Sequence, residues 1–293
     1  MTLKHNILKM YLLKGVLWFM VAMPIIVLFF QEHGLSLTEV MIIQAIYSLS
    51  VAVFEIPSGY IADLFGRKHT IVLSTIFSFS GYLVFSFFGG FYAFAAASTL
   101  VGIGGSLMSG SDSALLYDTL LETGDKKTYT KIEGRNYAIG NFSEAIAGIL
   151  GGFLAVSSIY LPIYVQTGIL FLSIPIALTL VEPTMHEENK IERSFNAILG
   201  VVKFAMVENA KLRWLIIYSS AIGVATLAMA WFAQPFFKEV EIPLAYFGIL
   251  WAGLNFSAGL TSFNSHKFDK DESNTKMLLY LALAMATSFV FLG

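Results

Sequence analysis

Long apolar runs dominate the hydropathy pattern of the chain. Nine such runs, without strict polar alternation, lie at 11–31, 38–62, 70–88, 92–116, 136–157, 161–181, 213–236, 244–264 and 276–293. A helix needs about 20 apolar residues to cross about 30 Å of hydrocarbon, whereas strands of a membrane barrel alternate over about ten residues. The pattern therefore predicts an all-α polytopic membrane protein. Ser36-Leu37-Thr38-Glu39 predicts a capping box at the start of the second run.

Composition supports this fold class. Of the 293 residues, 56% are hydrophobic and only 13% are charged, whereas a soluble domain carries about 25% charged residues. The net charge of −2 provides no basic surface for nucleic acid. The absence of cysteine excludes disulfides and thiolate metal sites. We therefore expect the lipid bilayer as a partner, and no nucleic acid, metal or cofactor.

The basic residues predict the orientation of the runs. Of the 18 Lys and Arg residues, all except Lys238 lie at run ends or in connections on one side. Basic residues concentrate on the cytoplasmic side of a membrane. This asymmetry predicts a cytoplasmic N-terminus and an integral protein of the plasma membrane, with the bacterial inner membrane favoured.

The longest connection predicts a boundary between domains. Six apolar residues in it follow one face of a helix, namely Ile191, Phe195, Ile198, Leu199, Val202 and Met206. This spacing predicts an amphipathic helix at the membrane surface, and a plain linker is the alternative. We therefore predict an N-terminal six-helix bundle over 1–182, a cytoplasmic linker with an amphipathic helix over 183–212, and part of a C-terminal bundle over 213–293.

A charged motif occupies the connection between the second and third runs. It reads Gly59-Tyr60-Ile61-Ala62-Asp63-Leu64-Phe65-Gly66-Arg67-Lys68 and fits G-x-x-x-D-x-x-G-[RK]-[RK]. Glu55, Gly59, Asp63 and Arg67 are four apart and form one stripe if the helix persists. Gly59 permits another backbone to approach closely, and Gly66 permits a tight turn. The alternative is that Arg67 and Lys68 serve only as topology charges.

This motif resembles the cytoplasmic loop signature of the major facilitator superfamily, and the long connection after the sixth run resembles that family's linker between two six-helix bundles. The resemblance implies alternating-access transport and twelve spans. The chain therefore looks truncated after the ninth span, with about three helices of the C-terminal bundle. The resemblance also implies a conformational latch, in which Arg67 pairs with Asp118 or Glu122. The latch residues are Gly59, Asp63, Gly66, Arg67, Lys68 and Asp118.

Two other motifs of the family are incomplete. Efflux members often carry an arginine four residues before a G-x-G in span four, and this chain has Ser98 before Gly102-Ile103-Gly104. Antiporters often carry G-P-x-x-G-G in span five, and residues 147–152 retain the glycine pair but lack the proline. Both departures weaken the assignment as a drug/proton antiporter.

Stripes of small residues follow spans four and five at every fourth position. They comprise Ser98, Gly102, Ser106, Gly110 and Ala114, and then Gly140, Gly148 and Gly152 around Glu144. Small residues let helices cross closely in lipid, so we expect these spans to pack tightly against neighbours.

Besides Glu39 of the predicted capping box, three acids lie within the apolar runs, and no Lys or Arg lies deep in any of them. These acids are Glu144, Glu55 and Asp112. An acid in the membrane usually faces a bundle interior or a water-filled cavity because exposure to lipid is costly. We therefore expect them to have no cationic partner in the chain and to be candidates for proton coupling. Hydrogen bonding across helices is the alternative for each.

Several aromatic and amide side chains in the runs are candidates to line a substrate cavity, although most such residues face lipid or pack in the core. They are Trp18, Gln44, Tyr47, Gln166, Trp231, Gln234 and Asn255. Prolines at 24, 57 and 235 are possible kink points.

The five histidines all fall in termini or loops, and no nucleotide-binding motif is present. We therefore expect neither catalytic residues nor an enzyme.

The favoured hypothesis is secondary active transport of a small molecule by a monomer, coupled to protons, with efflux as the favoured direction. The alternatives are an uptake symporter or facilitator, and a non-transporting membrane fragment or sensor. A membrane-embedded enzyme would need a cluster of polar residues at one membrane depth, which the sequence lacks.

Overall fold

The computed structural model describes residues 3–184, 200 and 203–263, and its regular elements in that part are all helical. The α-helices are α1 His5–Leu17, α2 Ile26–Glu32, α3 Leu37–Phe65, α4 Arg67–Phe87, α5 Phe91–Met108, α6 Ser111–Glu122, α7 Tyr129–Ser157, α8 Leu161–Leu178, α9 Ala210–Glu239 and α10 Leu244–Phe263. Among the described residues, seven helical segments are long and apolar enough to cross a membrane. The all-α membrane fold predicted from the apolar runs is confirmed. The ninth run, 276–293, lies outside the described residues.

The first run forms two helices instead of the continuous span that we predicted over 11–31. α1 ends at Leu17, a short 3₁₀ helix covers Met23–Ile25, and α2 begins at Ile26. Pro24 lies in the 3₁₀ segment, where it lacks the N–H that would continue an α-helical ladder. The run is therefore interrupted between Trp18 and Ile25.

The fourth run is also interrupted, whereas the sequence predicted one helix over 92–116. α5 ends at Met108, and α6 begins after Gly110, whose φ is +74°. Glycine adopts this left-handed conformation without the Cβ clash of other residues. Gly110 is thus a hinge between two helices, and the predicted stripe of small residues ends before it.

The second run begins at a capping box and ends at a glycine. Ser36 Oγ accepts a hydrogen bond from the Glu39 N–H, and the Glu39 carboxylate accepts one from the Ser36 N–H, so the predicted capping box is confirmed. α3 ends at Phe65 because Gly66 has a φ of +92° and starts a new helix. The helix does not persist to Arg67, which belongs to α4, so the condition for a single stripe from Glu55 to Arg67 is not met.

Residues 3–184 and 233–263 form one compact unit, and residues 203–232 belong to a second. The core of the first unit includes a cluster of apolar side chains from α1, α4, α6 and α8 and the residues just after α8: Met10, Leu13, Ile71, Leu115, Leu116, Leu120, Ala177 and Leu180. In the second unit, a π-helical turn over Phe204–Glu208 precedes α9.

The predicted amphipathic helix lies largely outside the described residues. Ile191, Phe195, Ile198, Leu199 and Val202 are not described. Met206, the last residue of the predicted face, lies exposed in the π-helical turn. The linker over 183–212 and its helix therefore stay predictions.

Candidate functional site

The charged motif between α3 and α4 forms a buried ion pair. Arg67 Nη1 lies 2.6 Å from Asp118 Oδ2, and both side chains are largely buried. Asp118 is in the last two turns of α6, so the pair joins two helices that the sequence separates by 51 positions. The structure thus brings together the two residues that the family resemblance paired, while Glu122 has a different partner.

The first turn of α4 is capped by Glu182, which sequence reasoning missed. The backbone N–H groups of Arg67 and Lys68 donate to the two Glu182 carboxylate oxygens at 2.8 and 2.7 Å. The first N–H groups of a helix lack intrahelical partners, and a negative charge there is favourable. The acid follows the sixth run by itself in the sequence, so no local pattern indicated its partner more than 100 residues away.

A second contact ties the same segment to α6. Glu122 Oε2 accepts a hydrogen bond from the Thr184 N–H at 2.8 Å. The segment that follows α8 is therefore attached to the motif through Glu182 and to α6 through Glu122.

Two further residues of the predicted latch, Gly59 and Asp63, lie in the C-terminal part of α3. Asp63 is partly buried in the last turn of the helix. A Cβ added at Gly59 would meet nothing within 4 Å among the described residues. The part of the chain that the structure describes therefore provides no close backbone at Gly59, and the latch role stays a prediction.

Asp112 has a cationic partner, so the expectation that the three acids lack one is wrong for this residue. Lys14 Nζ lies 3.4 Å from Asp112 Oδ2, and both side chains are largely buried. The same ammonium lies 4.9 Å from the ring centroid of Trp18 and 4.6 Å from that of Tyr137. The sequence placed Lys14 at the edge of a run, but α1 extends back to His5 and carries the lysine into the bundle.

Glu55 lies beside the interruption of the fourth run. Its carboxylate accepts a hydrogen bond from Ser109 Oγ at 2.8 Å, and the residue is exposed. Ser109 is the residue between the end of α5 and the Gly110 hinge. The contact therefore links α3 to the break in span four.

Glu144 lies at a close crossing of α7 and α10. The residue is only 7% exposed, and its Oε1 accepts a hydrogen bond from Trp251 Nε1 at 2.9 Å. α7 and α10 approach so closely that a Cβ added at Gly248 would clash with the Gly148 carbonyl. Gly148 and Gly152 of the stripe predicted in span five therefore pack against α10 beside Glu144, whereas Gly140 packs against Trp18.

Gln234 fills the gap in the broken first span. Its Oε1 accepts from the Val27 N–H at 3.0 Å, and its Nε2 donates to the Met23 carbonyl at 2.8 Å. These two backbone groups are the i and i−4 partners that would bond to each other in a continuous α-helix. The side chain is 2% exposed, so the end of α9 completes the hydrogen bonding of the segment between α1 and α2.

Replacing Gln234 with leucine should lower the free energy of unfolding by about 2–4 kcal/mol, because both backbone groups at the break would lose their buried partner. Thermal melting of the purified protein in detergent measures the change. Gln44→Leu is the control, because the side-chain amide of Gln44 makes no hydrogen bond within the described residues. We expect this variant to change the free energy of unfolding by no more than about 0.5 kcal/mol. Equal melting temperatures for the two variants would contradict the bridging role.

The other predicted cavity residues occupy different surroundings. Gln166 is fully buried, and its Oε1 has no hydrogen-bond partner in the described part of the chain. Gln44, Tyr47 and Trp231 are partly buried. Asn255 donates to the Trp251 carbonyl at 3.2 Å and thus lies beside the Glu144 contact. Trp18 therefore lies at the Asp112 site, and Asn255 lies at the Glu144 site.

Comparison with known proteins decides the family. The family model described as "Major Facilitator Superfamily" matches residues 10–293, which is nearly the whole chain. The chain belongs to the major facilitator superfamily. It is thus an integral membrane protein of a transporter family.

A relative in Bacillus subtilis (strain 168), the "Uncharacterized MFS-type transporter YxaM", is 24% identical over 277 residues. The alignment covers 92% of this chain and 68% of that protein. The description of this relative gives neither a substrate nor a direction of transport. Among the described residues of the present chain, no group of His, Cys, Asp and Glu is arranged to hold a metal ion.

Proposed function

We propose that this chain belongs to a secondary active transporter that moves a small molecule by alternating access, coupled to protons, with export as the favoured direction. The observation that carries the proposal is the position of Glu144. This acid is buried where α7 and α10 cross, so the charge of its carboxyl group affects the contact between these two helices. The membrane that holds the protein, the cytoplasmic N-terminus and the monomeric state are part of the same proposal.

The surroundings of Glu144 support a proton-carrying role. The hydrogen-bonding partners that the structure gives its carboxyl group within the described residues are Trp251 and Asn255, both neutral. An ionised carboxylate without a cation is costly in the membrane, whereas a protonated one is not. Protonation therefore favours the close approach of α7 and α10, and loss of the proton favours access of water. A proton can thus bias the contact between these helices.

The glycines of α7 support export as the direction of transport. Residues 147–152 retain the glycine pair found in the antiporters that the segment resembles, and a Cβ added at Gly151 would clash with the Val21 carbonyl. This close packing supports a role for α7 as a helix that moves against its neighbours, because side chains larger than glycine would collide with them. Exchange of an inward proton for an outward solute is consistent with these features. An uptake symporter or facilitator is the alternative.

Replacing Glu144 with glutamine should abolish proton-driven accumulation and leave solute exchange in place, because the amide keeps the Trp251 hydrogen bond but cannot release a proton. The measurement is accumulation of a radiolabelled panel (an aromatic amine, an aromatic carboxylate, a hexose and an amino acid) in proteoliposomes with an imposed pH gradient. The control is Glu239→Gln, which neutralises an exposed acid at the end of α9.

The direction of the proton gradient that drives accumulation separates the hypotheses. Solute movement opposite to the proton supports export, and movement with the proton supports the uptake symporter. Equal gradient-driven accumulation in wild type and Glu144→Gln would contradict the coupling role. Absence of any accumulation or exchange would favour the non-transporting fragment or sensor.

A further inference from the structure

A cavity lined mainly by aromatic rings lies at the end of α4 that is far from the Arg67–Asp118 pair. Its volume is about 270 Å³, whereas an apolar cavity of about 150 Å³ is large enough to hold benzene. Six of its ten lining residues are aromatic: Phe29, Phe85, Phe87, Phe88, Tyr160 and Tyr164. The cavity therefore has room for one monocyclic aromatic molecule with small substituents.

The cavity has a buried floor and an exposed rim. Phe29, Phe85 and Ile163 are at most 6% exposed, whereas Phe87 and Phe88 at the rim are 71% and 63% exposed. A small molecule can therefore enter over the rim without displacing the packed side chains of the floor. Aromatic walls favour an aromatic ligand, because ring pairs in edge-to-face or offset contact add stability beyond the burial of area.

The imidazole ring of His33 provides a fixed hydrogen-bond acceptor in this cavity. Its centroid lies 4.5, 5.0 and 5.4 Å from those of Phe29, Phe94 and Tyr160, so the ring is held on several sides. His33 Nδ1 lies 2.9 Å from the Phe29 carbonyl oxygen. A carbonyl oxygen only accepts, so Nδ1 carries the proton and Nε2 of the neutral ring is an acceptor. Within the described residues, Nε2 has no hydrogen-bond partner.

Gly89 keeps the space beside this acceptor open. A Cβ added at Gly89 would lie 3.0 Å from His33 Cδ2 and 3.7 Å from His33 Nε2, and both residues line the cavity. The edge of the imidazole ring that carries Nε2 therefore faces the position where Gly89 has no side chain. A ligand group of about the size of a hydroxyl can reach Nε2 there.

The hydroxyl group of Ser86 also presents an acceptor to the cavity. Thr167 Oγ1 donates its single proton to the carbonyl of Tyr82 or Ile163, at 3.1 and 3.0 Å. Ser86 Oγ, at 2.7 Å from Thr167 Oγ1, is therefore the donor in the contact between these two hydroxyls. Apart from the tyrosine hydroxyls, the polar side chains that line the cavity thus offer acceptors, and a ligand with a donor group complements them.

The charge of the lining favours a neutral ligand. Within the described part of the chain, no Lys, Arg, Asp or Glu lines the cavity. A charged group that leaves water without a partner of opposite charge is unfavourable. A neutral aromatic molecule that carries a hydroxyl group meets the size, the ring contacts and the acceptors of this cavity together.

We infer that this cavity is a binding site for a neutral, phenol-like molecule whose hydroxyl group donates a hydrogen bond to His33 Nε2. The site shares no residue with the contacts of Glu144, and binding requires no proton gradient. The inference therefore goes beyond the proposed function and does not depend on it.

The test compares two probes of similar shape, 4-fluorophenol with a hydroxyl donor and 4-fluorotoluene with a methyl group in its place. Fluorine NMR titration into the purified chain, in detergent and mildly alkaline buffer, measures the binding of each probe. The same titration into protein-free micelles gives the shift that detergent alone causes. We expect a saturable shift of 4-fluorophenol with the wild-type chain that empty micelles do not produce.

Replacing His33 with phenylalanine keeps an aromatic ring and removes the acceptor. The ratio of the affinities for 4-fluorophenol and 4-fluorotoluene should therefore fall by about fivefold to tenfold, which corresponds to one lost hydrogen bond. The ratio cancels the different hydrophobicities of the probes. His69→Phe is the matched control, because it makes the same replacement at an exposed histidine in the first turn of α4, and it should leave the ratio unchanged.

Gly89→Ala tests the same site without a change at His33. The added methyl group narrows the space beside Nε2 and should weaken 4-fluorophenol binding about fivefold or more. Tyr92→Leu is its control, because Tyr92 is 87% exposed and does not line the cavity. If His33→Phe does not fold, as judged by its thermal melting, Gly89→Ala decides the question.

Three results would overturn the inference: no saturable shift of 4-fluorophenol with the wild-type chain, an unchanged affinity ratio in folded His33→Phe, or unchanged 4-fluorophenol binding in Gly89→Ala. Equal changes of the ratio in His33→Phe and His69→Phe would also overturn it, since the bound probe would then lie elsewhere. A fall of the ratio in His33→Phe alone, together with weaker binding in Gly89→Ala, would support the site.

Discussion

Replacing Gly248 with alanine should destabilise the protein by about 3 kcal/mol and impair any transport that it performs. The added methyl group would clash with the carbonyl group of Gly148 and come within 3.2 Å of the Gly152 Cα. Overpacking typically costs about 1–3 kcal/mol. The atoms that the methyl group would meet are backbone atoms of α7, so no flexible side chain can move aside to relieve the clash. Separation of α7 and α10 would also break the hydrogen bond between Trp251 and Glu144.

Gly253→Ala is the matched control for this prediction. Gly253 lies in the same helix, and a Cβ added there meets nothing within 4 Å among the described residues. Alanine is favoured over glycine in a helix by about 1 kcal/mol, so this variant should melt at or above the wild-type temperature. Melting curves in detergent compare the two. Equal losses of stability in both would show that the crossing of α7 and α10 does not depend on Gly248.

Replacing Asp118 with alanine should destabilise the protein by about 2 kcal/mol, because it leaves the Arg67 guanidinium largely buried without its carboxylate. Removal of one partner from a fully buried pair costs about 3–5 kcal/mol. We expect less here because the Arg67 and Asp118 side chains are still 19% and 13% exposed and solvent screens them in part. The double variant Arg67→Met/Asp118→Leu should recover most of the loss, since it removes both charges.

The exposed pair formed by Lys203 and Glu208 is the control for the Arg67–Asp118 pair. Its side chains are 70% and 52% exposed and its N–O distance is 3.5 Å, so we expect Glu208→Ala to change stability by less than about 0.5 kcal/mol. A double-mutant cycle for each pair, measured by thermal melting in detergent, gives the interaction free energy between its two side chains. A coupling for Arg67 and Asp118 no larger than that of the exposed pair would contradict a structural role for this ion pair.

The sequence predicted the helices well because their length and apolarity are local properties. The second run gives α3 with the capping box at Ser36, and the starts of α8 and α10 agree with the apolar runs. The interruptions were not predicted. Pro24 was only a possible kink point, and Gly110 was assigned to a packing stripe, because neither backbone break changes the hydropathy of its run.

The sequence indicates candidate site residues where an ionisable side chain interrupts an apolar run. Glu144 and Asp112 stand out as acids among apolar residues, and both lie at structured sites. The sequence does not predict their partners: Lys14 fits a topology charge near the end of the first run, and no sequence pattern singles out Trp251. A hydrogen bond such as that of Glu182 to the start of α4 joins residues 115 and 114 positions apart, which no local pattern encodes.

The sequence alone determined that this chain spans a membrane and resembles the major facilitator superfamily, because insertion into lipid depends on continuous apolar length and on the charges between the runs. Apart from the pair of Arg67 and Asp118, which the family resemblance implied, only the tertiary structure decided which residues face one another. The pairing of Lys14 with Asp112, the bridge of Gln234 across the broken first span and the contact of Glu144 with Trp251 each require distant segments to meet. Such contacts depend on how helices pack, and close approach at glycines such as Gly148 and Gly248 sets that packing.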